Sequence, residues 1–108
     1  MARTPLTPVA SPGGGACAIV EFTFAAGDAS LGNSVVATGK ELILCLNSGG
    51  SPYVLTISTV NGKIQYTVPA GSYTCTGTIP LAGFKQADNN IWIDVANAAL
   101  KLAILKMP

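Results

Sequence analysis

The stretch Tyr53-Val-Leu-Thr-Ile-Ser-Thr-Val-Asn-Gly-Lys-Ile-Gln-Tyr-Thr-Val68 decides the fold class. Its two halves alternate apolar and polar side chains with period two, which marks strands rather than helix. Asn61-Gly62 lies between them. That dipeptide suits a type I′ turn, in which both central residues need positive φ. A β-hairpin is therefore expected, with Ile64, Tyr66 and Val68 inward and Lys63, Gln65 and Thr67 outward.

The same period continues on both sides. Downstream, Pro69-Ala70-Gly71 makes a turn before 72–79, where Tyr73, Cys75 and Ile79 alternate with Ser72, Thr74, Thr76 and Thr78. A loop over about 80–90 ends in Asp88-Asn89-Asn90. Residues 91–96 then place Ile91, Ile93 and Val95 on one face, with Trp92 and Asp94 opposite. Asn97-Ala98-Ala99 is the last turn, and 100–107 reads as the closing strand, although its Leu, Lys and Ala also favour helix. Upstream, Ser48-Gly49-Gly50-Ser51-Pro52 is a turn. Residues 41–47 put Leu42, Leu44 and Leu46 on one side and Ile43 and Cys45 on the other, a pattern of burial on both faces. Shorter strands are expected at 34–38 and at 18–24, where Ala18, Val20, Phe22 and Phe24 share a face. Seven or eight short strands with turn residues between them argue for an all-β fold. The expected form is an antiparallel β-sandwich, jelly-roll-like, with a barrel as the other solution.

Residues 1–16 stand apart as an extended Pro/Gly-rich N-terminal arm, and 17–108 form one β-sandwich domain. Pro5, Pro8 and Pro12 favour extended or polyproline backbone, and Gly13-Gly14-Gly15 is a flexible joint. Fully extended, the arm would reach about 50 Å. One reading makes it a disordered tail. The other makes it a partner-binding arm, with Arg3, Pro5, Leu6, Pro8, Val9 and Pro12 lying across a neighbour and Leu6 and Val9 as anchors.

Charge is scarce. Only 10% of the 108 residues are Asp, Glu, Lys or Arg, and the net charge is +1; about a quarter is usual. The cations are scattered, so the clustered Lys/Arg that neutralises phosphates is missing and nucleic acid is not an expected partner. No stretch is long and apolar enough to span a bilayer, so no membrane partner is expected either. Three prolines sit where a signal peptide would carry its apolar run, which points to synthesis and retention in the cytoplasm until assembly.

The sequence contains no histidine, which removes the commonest general base and metal ligand and makes Ser–His and Cys–His nucleophile pairs impossible within the chain. Gly39-Lys40 lacks the glycine spacing of a phosphate-binding loop. No enzymatic activity, cofactor or metal is expected. Cys17, Cys45 and Cys75 form no C-x-x-C pair, so zinc is disfavoured. Cys45 and Cys75 read as core. Cys17, where the arm meets the first strand, is either a buried thiol or the site of an intermolecular disulfide. Trp92 lies opposite three aliphatics beside Asp94; it is a candidate surface anchor or a cover for the sheet's second face.

Four stretches then carry a likeness. They are Ala37-Thr-Gly-Lys-Glu-Leu-Ile-Leu-Cys-Leu-Asn-Ser-Gly49, Thr67-Val-Pro-Ala-Gly-Ser-Tyr73, Gly83-Phe-Lys-Gln-Ala-Asp-Asn-Asn-Ile-Trp-Ile-Asp94 and the ending from Asn97 to Pro108. With the Arg3-Thr4-Pro5-Leu6-Thr7 opening, the chain resembles small tailed-bacteriophage virion structural proteins of the capsid decoration (cement) type. That resemblance implies a subunit bound to the major capsid protein on the outside of the head, with self-association into a trimer or other homo-oligomer. Other classes consistent with the residues are a virion-displayed module binding host carbohydrate or receptor, and a head–tail connector or tail-associated subunit.

Overall fold

The computed structural model describes residues 3–10 and 21–107. Among these the chain is all-β, with ten strands and no helix. The strands are β1 (Thr4–Pro5), β2 (Val9–Ala10), β3 (Ala25–Ala26), β4 (Asn33–Val36), β5 (Glu41–Asn47), β6 (Tyr53–Thr59), β7 (Gly62–Val68), β8 (Tyr73–Cys75), β9 (Asn90–Val95) and β10 (Leu100–Lys106). Two mixed sheets pack together. The first has the order β1-β4-β9-β6-β7; the second has the order β2-β10-β5-β8, with β3 also paired to β10. Every pairing is antiparallel except β1 with β4 and β2 with β10.

The core lies between the sheets. Val35, Leu55, Ile57, Val68, Ile91, Ile93 and Val95 enter it from the first, and Ile43, Cys45, Leu100, Leu102 and Ile104 from the second. Burying a branched aliphatic side chain is worth roughly 1.5–3 kcal/mol, so these period-two faces drive the assembly. The 100–107 segment is strand, not helix. It sits between β5 on one side and β2 and β3 on the other, where its ladder and its inward Leu102 and Ile104 override helix propensity.

Several expectations need correction. The strand over 18–24 is not found in its described part: residues 21–24 carry no strand, and pairing begins at Ala25. In the hairpin the last pair is Thr59 with Gly62, so the loop residues are Val60-Asn61. Neither has positive φ, and the type I′ turn at Asn61-Gly62 does not form. Ile64 and Tyr66 point inward but stay 50% and 53% exposed, because β7 is an edge strand. The 72–79 strand stops at Cys75, and Thr76 and Ile79 continue beside β5 through isolated bonds to the carbonyls of Ile43 and Glu41. Cys75 is exposed rather than core, because its register partner Leu44 lies on the outer face of the second sheet.

Turn chemistry fits elsewhere. Gly71, at φ +72°, takes the third position of a turn closed by the Ser72 N–H on the Pro69 carbonyl, where a type II turn needs positive φ. The Asn97 side chain accepts the Ala99 N–H and closes the turn into β10 as an Asx-turn.

Candidate interaction surfaces

The N-terminal arm is seated on its own domain. Thr4 and Leu6 donate backbone hydrogen bonds to the carbonyls of Gly32 and Ser34 at 3.0 and 2.7 Å, beside β4. Val9 and Ala10 pair with Leu105 and Lys106 of β10. The arm thus crosses from one sheet to the other and closes that side of the fold, with Leu6 packed on the core. Buried Asn33 fixes it further: its side-chain carbonyl accepts the Asp28 N–H and its amide donates to the Thr4 carbonyl.

Arg3 and Trp92 belong to the same seat. The Arg3 guanidinium donates to both carboxylate oxygens of Asp94, at 2.7 and 3.4 Å, and lies 4.7 Å from the Trp92 ring centroid. The Trp92 indole N–H donates to the Asp88 carboxylate, a bond that foremost holds that carboxyl below its ordinary range. Trp92 is half-buried on the outer face of the first sheet, with ring and N–H both engaged within the chain. Asp94 is 43% exposed, and such ion pairs contribute only about 0–1 kcal/mol. The pair therefore orients the arm, while Leu6 and the backbone bonds hold it. Gly32 makes room for this: at φ +79°, any Cβ there would collide with the Arg3 guanidinium and the Asp94 carboxylate.

Thr4 also donates its hydroxyl to Asp28 at 2.5 Å, and this bond, followed by the Leu31 N–H, lowers the Asp28 carboxyl. Arg3, Pro5, Leu6, Pro8 and Val9 are thus placed together on one side of the fold; Pro12 and Cys17 lie outside the described residues.

A second surface is the outer face of the second sheet. Leu42, Leu44, Leu46 and Leu105 are half-buried there, which explains the double-sided apolar pattern of β5. Over it lies an aromatic row: Phe22 meets Phe24 edge-on at 5.6 Å, and Phe24 meets Tyr73 at 6.1 Å. Tyr73 remains 71% exposed.

The third surface is a cleft of about 310 Å³ between edge strands β7 and β8. Ile43, Leu55, Ile57, Ile64 and Tyr66 give it an apolar lining, with Thr74 at its wall. The Thr74 hydroxyl is buried and has no hydrogen-bond partner among the described residues.

Buried polar residues lie outside the candidate sites that the sequence points to. Glu41 and Asn47, at the two ends of the inward face of β5, are both fully buried. Glu41 accepts bonds from the N–H and hydroxyl of Thr38. Burial pushes its carboxyl up, but the Thr38 bonds and neighbouring backbone N–H groups outweigh that, leaving it below the ordinary value. Asn47 donates to the Ser51 and Val68 carbonyls and accepts from Gly49. The signal was available, since both residues continue the Ile43–Cys45 spacing by two. Between them Cys45 is pushed up to about 11 by burial, which leaves it unreactive near neutrality.

Comparison with protein-family models, curated proteins and solved structures finds no match to this chain.

Proposed function

We propose that this chain is a decoration (cement) subunit of a tailed-phage head, a jelly roll that adheres to the major capsid protein on the outer shell and braces it. Four nested antiparallel pairs support the jelly-roll reading: β3 with β10, β4 with β9, β5 with β8 and β6 with β7. A long hairpin folded over on itself gives this nesting, the pattern of double-sheet jelly rolls.

One observation carries the functional reading: a surface with little charge bears exposed Val36, Val60, Ile64, Tyr66, Tyr73 and Leu81. Free proteins stay soluble through charge, and exposed apolar patches mark surfaces that other proteins cover. In this reading the arm works on both sides. Its inner side closes the fold, and its exposed Thr4, Pro5, Thr7 and Ala10 meet the capsid protein. Many equivalent sites on a shell offset weak single contacts. The work is mechanical, on the virion surface, without catalysis or cofactor.

Quantitative mass spectrometry of purified particles tests this. A cement subunit is present in hundreds of copies, an order of magnitude set by shell symmetry. A handful per particle would instead indicate a connector or tail subunit and overturn the proposal.

A further inference from the structure

We propose that the edge of β7 left unpaired by the described residues is a self-association site, at which two copies pair antiparallel about a twofold axis through Gln65. The inference goes beyond the capsid reading and does not depend on it.

The fold treats its two sides differently. On the β4/β10 side the arm pairs with both sheet edges and packs Leu6 on the core. On the β7/β8 side no described residue pairs with either edge, and the cleft stands open between them. A seven-residue strand with one free edge and half-exposed apolar side chains is a template for another strand.

The register of β7 shows which groups are free. Opposed residues in an antiparallel ladder alternate between bonded and non-bonded pairs, and a two-residue loop is closed by a bonded pair. Thr59–Gly62 is that closing pair, so Ile57–Ile64 and Leu55–Tyr66 are bonded too. Lys63, Gln65 and Thr67 therefore turn their N–H and C=O groups away from β6. An independent bond agrees: the Val54 carbonyl accepts from Ala96 on the β9 side, so Val54 does not bond to its partner Thr67.

These free groups match those of a second copy. With the axis at Gln65, Gln65 faces the second copy's Gln65 and Lys63 faces its Thr67, so every outward N–H meets a carbonyl. Ile64 faces the second copy's Tyr66 at a non-bonded position, where side chains approach most closely. An aromatic opposite a β-branched residue is a favourable cross-strand pair. The charges agree as well. Lys63 is the strand's only charged residue, and this register sets it against a threonine rather than against its own copy. Both Ile64–Tyr66 pairs lie on the cleft side. Tyr66 brings an apolar body and a hydroxyl tip, which suits a cleft lined by isoleucine and leucine with one unpaired hydroxyl at Thr74.

Sedimentation velocity on the full chain over a concentration series tests the proposal, with Gln65→Lys alongside. Residue 65 is exposed, so the substitution leaves the monomer fold intact while setting two ammonium groups face to face across the axis. The expected result is a wild-type dimer, weakened at least roughly tenfold in Gln65→Lys. In a background with both Cys17→Ser and Cys75→Ser, Gln65→Cys should give a disulfide-linked dimer on mild oxidation, because bonded pairs lie about 5.5 Å apart at Cα. A wild type that stays monomeric at the highest concentration would overturn the proposal. So would a dimer indifferent to Gln65→Lys, or one in which Gln65→Cys stays uncrosslinked.

Discussion

Glu41 and Asn47 do opposite work at the two ends of one strand face. Asn47 ties the β5 end to the Ser51 and Val68 carbonyls through neutral bonds, whereas Glu41 keeps a carboxylate out of water against Thr38. Because the folded carboxyl lies below its free value of 4.5, the unfolded chain binds the proton more readily. The contribution of Glu41 to stability is therefore complete above that value and is lost as pH falls through the folded value. Urea unfolding should show a midpoint flat from about pH 7 to 5 and falling below about 4.5. Glu41→Gln should be about 1–2 kcal/mol less stable at neutral pH and show a shallower acid decline. Asp28 and Asp88, also lowered, contribute to that decline in both proteins, so the difference isolates Glu41. An acid limb identical in the two would contradict this account. Period-two spacing puts residues 41 and 47 on the Ile43–Cys45 face, but residue type gives no sign that a glutamate and an asparagine are buried there. Polar residues enter a core only when partners elsewhere in the chain satisfy them, and those partners become visible only once the chain is folded.

At the scale of elements, β6, β7 and β9 are legible from their regular alternation, β5 from an apolar run bounded by turn residues, and β10 as the closing strand only against a competing helix preference. The turn between β6 and β7 departs from its dipeptide preference. A favourable dipeptide is a local preference, and the ladder that sets Thr59 against Gly62 overrides it. The arm shows the same limit more strongly, since nothing in its prolines announces that it would lie between β4 and β10. Hydrogen exchange gives a direct check. The Thr4 and Leu6 amides, bonded to Gly32 and Ser34, should exchange markedly more slowly than the exposed amide of Thr7, since exchange requires the arm to lift off. Removing residues 1–10 should destabilise the domain by uncovering the seat of Leu6 and two strand edges. Equal, fast exchange at Thr4, Leu6 and Thr7 would mean the arm is not held.

At the scale of the molecule, one side of the fold is sealed by its own N-terminal arm and the other is open among the described residues, with an aromatic row over the outer face of the second sheet. The proposed adhesive role draws on the exposed apolar side chains. The proposed cement role is tested most directly on phage heads prepared without this chain, by measuring the temperature at which they release packaged DNA before and after purified chain is added. The account predicts that the chain binds the heads to saturation and raises the release temperature. Heads that leave the chain in solution, or that bind it and release DNA at an unchanged temperature, would contradict it.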